Sequence, residues 1–418
     1  MGSYGDLSYV HFGHHNVYMV KDPECIRDVL VTDNRKFKKG LATHEAKRLL
    51  GEGLLTSDGD LHRRQRRLIQ PVFHPERRPE QAALTVEHAQ RLADSWEHGA
   101  TIDAGETMMH LTLTILGKAI IGVDLEPHVG TFHEALDAAV EMVELVLKPW
   151  GRYVERLPVP LVRRFRATRE KLFALVGQII EDGRANLNGQ GDLVSILLRH
   201  QAELGEDVLT QTQIRDELVT ILLTGHETLT QLMTWTSFLL AGNPAVTADL
   251  HAELDDVIGD ETPGLSHLPA LPLTEAILLE SMRVYPPVYA LQRNALVDYE
   301  LQGYTVPKGS LLVMSQYLLH RSERWFEDPE RFDPSRWTAE LRSSLPDMCY
   351  FPFGRGPRAC IGEGFAMTEA RLLLATLYRQ WGMRRADDVA VGTVSSISLR
   401  PSAPIRLVLE KRSTQEGG

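Results

Sequence analysis

The chain has 418 residues, of which 43% are hydrophobic and 24% charged, and its formal net charge is −11. This composition is typical of a globular protein, and the negative charge argues against general binding to nucleic acid. Three cysteines are too few for a disulfide framework, and no apolar run is long enough to span a bilayer. The N-terminus has no signal-peptide pattern, so we expect a soluble, cytoplasmic protein.

The first third of the chain predicts two strands followed by helices. Residues 7–12 and 16–20 have the composition of short strands and are separated by a polar turn. Asp22 and Pro23 then predict the start of a short helix, with Asp as its cap and Pro in its first turn. From residue 61 to about residue 122 the pattern is mainly helical.

Helical patterns continue through the middle of the chain. Residues 132–147 predict a helix that is apolar on one face, and several prolines end it. A helix resumes over 161–187. Thr210 then predicts the N-cap of a long helix that continues to Ala241.

The last third returns to a mixture of strands and helices. Pro286 and Pro287 force an extended segment, and 290–315 predicts short strands. A strong helix is predicted over 362–382, and strands follow it. We therefore expect a fold that is mainly α with a smaller β-rich part. No linker or repeat divides the chain, so we expect one domain over residues 1–418.

The segment from Phe351 to Gly362 carries the strongest chemical signal. It reads Phe-Pro-Phe-Gly-Arg-Gly-Pro-Arg-Ala-Cys-Ile-Gly, and its glycines and prolines exclude regular structure. A helix is predicted just after Cys360, so backbone N–H groups and the helix end are expected to lower the pKa of this thiol. Gly354 and Gly356 allow a sharp turn and a close approach to a flat cofactor.

This segment matches the haem-binding signature of the cytochrome P450 family, Phe-x-x-Gly-x-Arg-x-Cys-x-Gly, so the chain resembles that family. The resemblance implies the P450 fold, with haem b (iron protoporphyrin IX) between a long central helix and the Cys loop, and with O2 as co-substrate. It makes Cys360 the thiolate ligand of the iron. The other cofactor-binding residues that it implies within the loop are Phe353, Gly354, Arg358 and Gly362.

Four residues of the long helix are predicted to be catalytic: Thr224, Gly225, Glu227 and Thr228. A mid-helix glycine costs about 0.5–1 kcal/mol relative to alanine, and we interpret Gly225 as room for a diatomic ligand beside the metal. Glu227 and Thr228 form an acid–alcohol pair that can relay protons to bound oxygen. The alternative is a threonine that bonds back to a helix carbonyl. The family usually has Ala or Gly at the position of Thr224.

A basic helix after Asp58 supplies further candidates. His62 and Arg66 are four residues apart and share a helix face. The resemblance places both, together with Arg293 and Arg358, on the haem propionates. Three more arginines of this helix are expected to face outward: Arg63, Arg64 and Arg67. We interpret them as a docking surface for an acidic electron-transfer protein rather than for nucleic acid.

Glu280 and Arg283 lie three residues apart on a predicted helix and can pair. By itself this spacing is a weak signal, because most such pairs are solvated surface pairs. The family adds an arginine from a Phe-x-Pro-x-Arg motif, which here gives Arg336, whereas Arg331 is expected to be a surface charge. We predict that Glu280, Arg283 and Arg336 form a structural triad behind the Cys loop.

The resemblance also implies which residues line the space above the iron. The candidates are Leu218, Ile221, Leu222, Val288, Tyr289, Leu291 and Ile397. This mostly aliphatic lining suits an apolar small molecule such as a terpenoid or a fatty-acid-like chain. The expected reaction is the insertion of one oxygen atom from O2, as hydroxylation or epoxidation, in a route of secondary metabolism.

Nothing after Cys360 resembles a flavin, nicotinamide or iron–sulfur module. Electrons are therefore expected from a separate ferredoxin- or flavodoxin-type donor with its NAD(P)H reductase. Two alternatives stay open, a peroxide-driven peroxygenase and a non-catalytic haem sensor, and neither needs Thr228. The family usually has a proline-rich lead and a first helix before its strands, so we expect that an N-terminal segment has been trimmed here.

Overall fold

The computed structural model describes residues 5–13, 15–147, 151–155, 157, 159–185 and 191–412. Most of these residues are helical, and a smaller part forms sheets. The prediction of a mainly α fold with a smaller β-rich part is confirmed.

Several of the α-helices pack against one long helix, α10. In chain order they are α1 (Pro23–Arg27), α2 (Leu41–Leu50), α3 (Gly59–Ile69), α4 (Arg78–Ser95), α5 (Ala104–Leu116), α6 (Val129–Leu147), α7 (Gly151–Val154), α8 (Pro160–Ala185), α9 (Leu193–Leu204), α10 (Gln211–Ala241), α11 (Pro244–Val257), α12 (Pro272–Val284), α13 (Gln316–Leu319), α14 (Ala339–Ser344) and α15 (Glu363–Gln380).

The strands form small sheets. In chain order they are β1 (Leu7–Phe12), β2 (His15–Val20), β3 (Phe37–Lys39), β4 (Thr101–Asp103), β5 (Leu291–Ala295), β6 (Tyr299–Leu301), β7 (Tyr304–Val306), β8 (Leu311–Met314), β9 (Trp381–Arg385), β10 (Thr393–Ser395), β11 (Leu399–Pro401) and β12 (Arg406–Lys411). The largest sheet has the order β1-β2-β8-β5-β3, with β2 and β8 parallel and the other pairs antiparallel. A three-stranded sheet has the order β4-β12-β9, and β6–β7 and β10–β11 are hairpins.

The helix starts follow the local sequence. The Asp22 side chain accepts a hydrogen bond from the Cys25 N–H and so caps α1. Thr210 caps α10 through a capping box with Gln213, in which each side chain bonds the backbone N–H of the other residue. These reciprocal bonds fix the start of a helix of 31 residues, which ends before Gly242 as the sequence predicts.

The core is divided between the helices and the largest sheet. Residues of α5, α10, α12 and α15 share one extended cluster of buried apolar side chains. A second cluster lies under the five-stranded sheet and includes Phe351 at the start of the Cys loop. The Trp235 ring of α10 stacks on Tyr285 with centroids 3.8 Å apart. Together these contacts place the Cys loop between the sheet and the helical core.

Within the described residues, no helix combines the length and the apolarity needed to cross a lipid bilayer.

Candidate active site

Cys360 ends a loop that folds back on itself. Its backbone N–H donates to the carbonyl of Phe353 at 2.9 Å. Gly354 and Gly356 have φ angles of +66° and +74°, in the left-handed region that favours glycine. A Cβ at Gly356 would lie 2.3 Å from the carbonyl oxygen of Leu30, so this position has no room for a side chain. The sharp turn predicted from the two glycines is present, and α15 follows directly.

Cys360 lies at the exposed end of the loop, just before α15. The residue retains exposed surface, yet burial raises the pKa of its thiol above the ordinary value. Hydrogen bonds from the backbone N–H groups of Gly362 and Glu363 lower this pKa, but burial outweighs them. The expectation of a lowered thiol pKa is therefore wrong for the protein alone. A metal cation at the sulfur would restore the thiolate, because coordination deprotonates a thiol.

Basic side chains from separate elements meet beside this loop. They are Lys39 of β3, His62 and Arg66 of α3, Arg293 of β5, and Arg358 of the loop, and we call them the basic cluster. Arg66 donates to the carbonyl of Ala359 at 2.7 Å, and Arg358 donates to the carbonyl of Ser57 at 2.7 Å. These two bonds join the Cys loop to α3 and to the segment before it.

The basic cluster holds more positive charge than the protein around it offsets. Burial, followed by repulsion from neighbouring cations, lowers the pKa of Lys39 to about 7, of His62 to about 3 and of Arg293 to about 10. Asp58 accepts a bond from Arg358 at 2.7 Å and offsets part of this charge. Buried cations need anionic partners. A flat cofactor that carries two carboxylates and a metal fits this site. The basic cluster would bind the carboxylates and the Cys360 sulfur would bind the metal, as haem requires.

The threonines of α10 bond back along their own helix. Thr224 Oγ1 donates to the carbonyl of Thr220 at 2.7 Å, and Thr228 Oγ1 donates to the carbonyl of Thr224 at 3.1 Å. Both residues are only partly buried although most of α10 is buried. The back-bonded alternative is thus present in the structure. It leaves the lone pairs of each hydroxyl oxygen able to accept another hydrogen bond.

The structure shows a packing role for Gly225. A Cβ at this position would lie 2.9 Å and 3.0 Å from the two terminal carbons of Leu116 on α5. The glycine therefore allows α5 and α10 to approach closely. Close helix packing is thus one reason for this glycine, and its role as room for a diatomic ligand stays a prediction.

Glu227 accepts hydrogen bonds from three side chains, none of which is Thr228. Its Oε1 accepts from Ser398 Oγ at 2.5 Å, from Arg400 Nε at 2.8 Å and from Gln231 Nε2 at 3.3 Å. The residue is 3% exposed. The acid and the alcohol are adjacent in sequence, but in this structure their side chains bond to different groups.

One group of predicted pocket residues follows α12, and a Cβ at Gly354 of the Cys loop would lie 3.5 Å from Leu291 of this group. Val288, Tyr289 and Leu291 are half-buried, and the Tyr289 hydroxyl donates to the carbonyl of Ser396 at 2.9 Å. This bond brings the segment after α12 next to the hairpin region that contains Ile397, which is 43% exposed.

The other predicted pocket residues lie on α10 and are buried in the helical core. Leu218 and Leu222 are both 0% exposed, and Ile221 is 5% exposed. Helix spacing places Ile221 on the face of Thr224 and Thr228, whereas Leu218 and Leu222 point to other sides of the helix. Of the three, Ile221 is therefore the best placed to reach a ligand beside the threonines.

Glu280, Arg283 and Arg336 come together. Arg283 donates twice to the Glu280 carboxylate at 2.9 Å, and Arg336 Nε donates to it at 2.9 Å. Trp337 Nε1 adds a fourth bond at 2.9 Å, and Arg331 is exposed. Glu280 and Arg283 are both 0% exposed, so this network is part of the interior.

His320 connects that network to the Cys loop, and sequence reasoning missed it. Arg283 Nη1 donates to the His320 carbonyl at 2.9 Å, and His320 Nε2 accepts from the Phe351 N–H at 3.2 Å. Burial lowers the pKa of His320 to about 3, so the ring is neutral and can accept this bond.

Lys39 and Arg400 were also missed. Strand alternation could have identified Lys39, because residues two apart share a face and Phe37 of the same strand is buried. Arg400 lies 173 residues from Glu227 in sequence, and no local pattern relates the two positions.

Comparisons with known proteins identify the family of this chain. The model of the family described as "Cytochrome P450" matches residues 1–405. The chain therefore belongs to the cytochrome P450 family. It is a monooxygenase of that family, which uses haem iron and O2.

Two curated relatives come from Streptomyces melanosporofaciens. "Cyclooctatin synthase" is 34% identical over 98% of this chain and 90% of its own length. "Cyclooctat-9-en-7-ol 5-monooxygenase" is 33% identical over 91% of this chain and 83% of its own length. The solved structure "Crystal structure of cytochrome P450DA heme domain" superposes with a TM-score of 0.86 at 27% identity, covering 98% of this chain and 91% of that one.

Proposed function

We propose that residues 1–418 form one catalytic domain that oxidises a terpenoid with haem b, Cys360 being the iron ligand. The haem supplies the activation of O2 when it is bound. The basic cluster would hold the two haem carboxylates through Lys39, His62, Arg66, Arg293 and Arg358. Phe353, Gly354 and Gly362 would shape the loop against the flat face of the cofactor.

The proposal of a terpenoid substrate rests on the two relatives. The names of both relatives refer to cyclooctatin chemistry, and the first relative matches nearly the whole of this chain. Val288, Leu291, Ile221 and Ile397 would give the substrate an apolar surface. A fatty-acid-like substrate suits the same surface, but neither relative favours it.

Thr224 and Thr228 would position a water molecule next to the haem when it is bound. Each hydroxyl donates back to a helix carbonyl, so its oxygen can accept a hydrogen bond and orient a water molecule. Glu227 would supply protons after it leaves its present partners. Thr224 adds a second hydroxyl, and we propose that it helps to hold this water.

The electrons would come from a separate acidic protein, a ferredoxin or flavodoxin with its NAD(P)H reductase. Arg63, Arg64 and Arg67 are exposed on α3, the helix that also carries His62 and Arg66 of the basic cluster. A donor at this surface would therefore lie close to the cofactor edge.

Spectral titration of the ferric, haem-loaded protein tests the substrate class. We would add cyclic terpenes, terpene alcohols, fatty acids and macrolides separately and follow the visible spectrum. A low-spin to high-spin shift with terpenes, tighter than with fatty acids, supports the proposal. A shift only with fatty acids or macrolides contradicts the terpenoid class, and a protein without a haem spectrum contradicts the role of Cys360.

Replacement of Thr228 with Ala separates a monooxygenase from a peroxygenase or a haem sensor. We expect electron consumption to continue while product falls at least about tenfold and hydrogen peroxide release rises. Ser retains the hydroxyl, so Thr228→Ser is the control and should stay near the wild type. Unchanged product and unchanged peroxide release in Thr228→Ala would contradict the proton relay.

A further inference from the structure

A chain of ionisable side chains connects Glu227 to the protein surface. Arg400 donates to Glu227 through Nε at 2.8 Å and to Asp137 of α6 through Nη1 at 3.2 Å. Asp137 lies 3.2 Å from the ring of His133, one helical turn earlier on α6. Side-chain exposure rises along this path, from 5% at Glu227 to 23% at Arg400, 32% at Asp137 and 47% at His133.

Arg400 is therefore shared between two carboxylates on different helices. Burial by itself lowers the pKa of Arg400, but pairing with Glu227 and Asp137 raises it above its ordinary value. The guanidinium remains charged and uses its planar fork to meet both partners. Its own strand, β11, is fixed nearby, because the carbonyl of Leu399 accepts from Trp235 Nε1 of α10 at 2.9 Å.

We propose that Arg400 is a positioning residue that couples the docking of α6 to the hydrogen bonding of Glu227. While Asp137 holds one side of the guanidinium, the other side holds the Glu227 carboxylate away from Thr228. Displacement of α6 removes Asp137 and weakens this hold. Such coupling is reciprocal, so a change at Glu227 alters how firmly α6 is docked. Its meaning for catalysis rests on the proposed function; the coupling itself does not.

Other groups that face Glu227 limit the alternatives. Ser398 and Gln231 are uncharged donors to the same oxygen, and the neighbouring His226 is buried, which lowers its pKa and leaves it neutral. Arg400 is therefore the charged contact of this carboxylate among the hydrogen bonds of the described residues. If Arg400 only stabilised the fold, changes at Glu227 on α10 would not alter the local stability of α6.

Hydrogen–deuterium exchange of the haem-loaded full chain, without substrate, tests the coupling on peptides that cover α6. We expect Arg400→Gln, Asp137→Asn and Glu227→Gln each to raise α6 exchange about threefold or more. In the double variant Arg400→Gln/Asp137→Asn the increase should not exceed that of the larger single variant, because both remove the same link. Asp137→Glu keeps the carboxylate and should restore slow exchange.

The matched control is Glu141→Gln. It removes another ion pair of α6, to Arg164 of α8 at 2.9 Å, which does not involve Arg400. Its effect should be small and should add to that of Arg400→Gln.

Additive effects of Arg400→Gln and Asp137→Asn, or slow α6 exchange in Glu227→Gln, would overturn the coupling. If Arg400→Gln does not fold, Asp137→Asn and Glu227→Gln and their double variant give the same test. The exchange experiment uses no substrate, so a terpene titration without a spectral shift would reject the proposed substrate class and leave this result standing.

Discussion

In the basic cluster, one buried positive charge can destabilise the haem-free protein and yet strengthen the binding of an anionic ligand. Lys39 lies near Arg293 and Arg358, and burial followed by their repulsion lowers its pKa to about 7. In the haem-free protein this repulsion opposes folding. A bound dicarboxylate reverses the sign of the interaction, because each cation then gains an anionic partner.

Replacement of Lys39 with Met should therefore separate stability from cofactor binding. We expect the haem-free variant to unfold at a higher urea concentration than the wild type, since one buried like charge is gone. Haem should dissociate about tenfold faster, because a charge-assisted bond to a carboxylate is lost. Transfer of haem to apomyoglobin measures the second effect.

Lys38→Met is the matched control, because Lys38 is exposed and adjacent on the same strand. It should change neither quantity noticeably. Equal rates of haem loss from the two variants would contradict a role of Lys39 at the cofactor carboxylates.

Glu217 is a buried acid whose ionisation makes the free energy of unfolding depend on pH. Burial raises its pKa from 4.5 to about 8, with a further contribution from Asp216, although a hydrogen bond from the Leu54 N–H opposes the shift. The folded protein keeps this proton to a higher pH than the unfolded chain does. Stability from this group is thus fully present below about pH 4.5 and is lost as the pH rises towards 8.

Glu217→Gln should abolish that pH dependence. The Gln side chain still accepts the Leu54 N–H bond but releases no proton. The free energy of unfolding of the variant, relative to that of the wild type, should therefore increase from pH 5 to pH 8. The limiting slope is about 1.4 kcal/mol per pH unit. Thermal unfolding at several pH values measures it, with the exposed Glu52→Gln as control. Parallel curves for wild type and Glu217→Gln would show that Glu217 does not titrate in this range.

Neighbouring residues of one helix can contact different elements of the fold, and the sequence pattern of the helix does not show which ones. Along α10, Gly225 packs on α5, Glu227 bonds to Arg400 of β11, and Thr228 bonds within the helix. The sequence predicts the helix, its cap and the residues of interest, because these depend on neighbours within a few positions. It does not predict which element each side chain meets, such as the contact of Gly225 with Leu116 or the bonds of Glu227 to Ser398 and Arg400.

The triad joins α12 to the segment before the Cys loop, and it contains a fully buried ion pair. Replacement of Glu280 with Gln would leave Arg283 as an uncompensated buried charge. We expect a loss of about 3 kcal/mol or more in the free energy of unfolding, and weaker thiolate ligation because His320 loses its support. Urea unfolding and the spectrum of the reduced carbon-monoxide complex measure the two effects.

Glu275→Gln is the control on the same helix. Glu275 pairs with Arg342 at 3.4 Å, but both side chains are partly exposed, at 31% and 41%. The expected loss is below about 1 kcal/mol. If Glu280→Gln were as mild as this control, the triad would not be a stabilising network.

Across the whole molecule, local motifs were easier to predict than the contacts between distant segments. The Cys loop, with its left-handed glycines, is encoded within twelve consecutive residues, Phe351 to Gly362, and could be read directly. The basic cluster was recognised in part from spacing and family resemblance. Its missing member, Lys39, reaches the others only through the pairing of β3 with β5, in which Lys39 lies opposite Arg293. Such pairing depends on the folded topology.

The overall charge makes the position of the basic surface on α3 important. A net charge of −11 repels an acidic electron donor at long range. Productive encounter then requires a local region of opposite sign, and Arg64 and Arg67 are exposed on the helix that also contributes to the basic cluster. Attraction by this region should dominate once the donor is within about 10 Å, which is roughly the screening length at 0.1 M salt.

Arg64→Glu should therefore slow reduction by an acidic plant-type [2Fe–2S] ferredoxin. We expect the second-order rate constant in stopped-flow mixing to fall about tenfold at low ionic strength, and the difference from the wild type to shrink as salt is added. Arg163→Glu makes the same charge change at an exposed site of α8 and should have little effect. If both variants slowed reduction equally, net charge alone would govern the encounter, and the donor would not dock at α3.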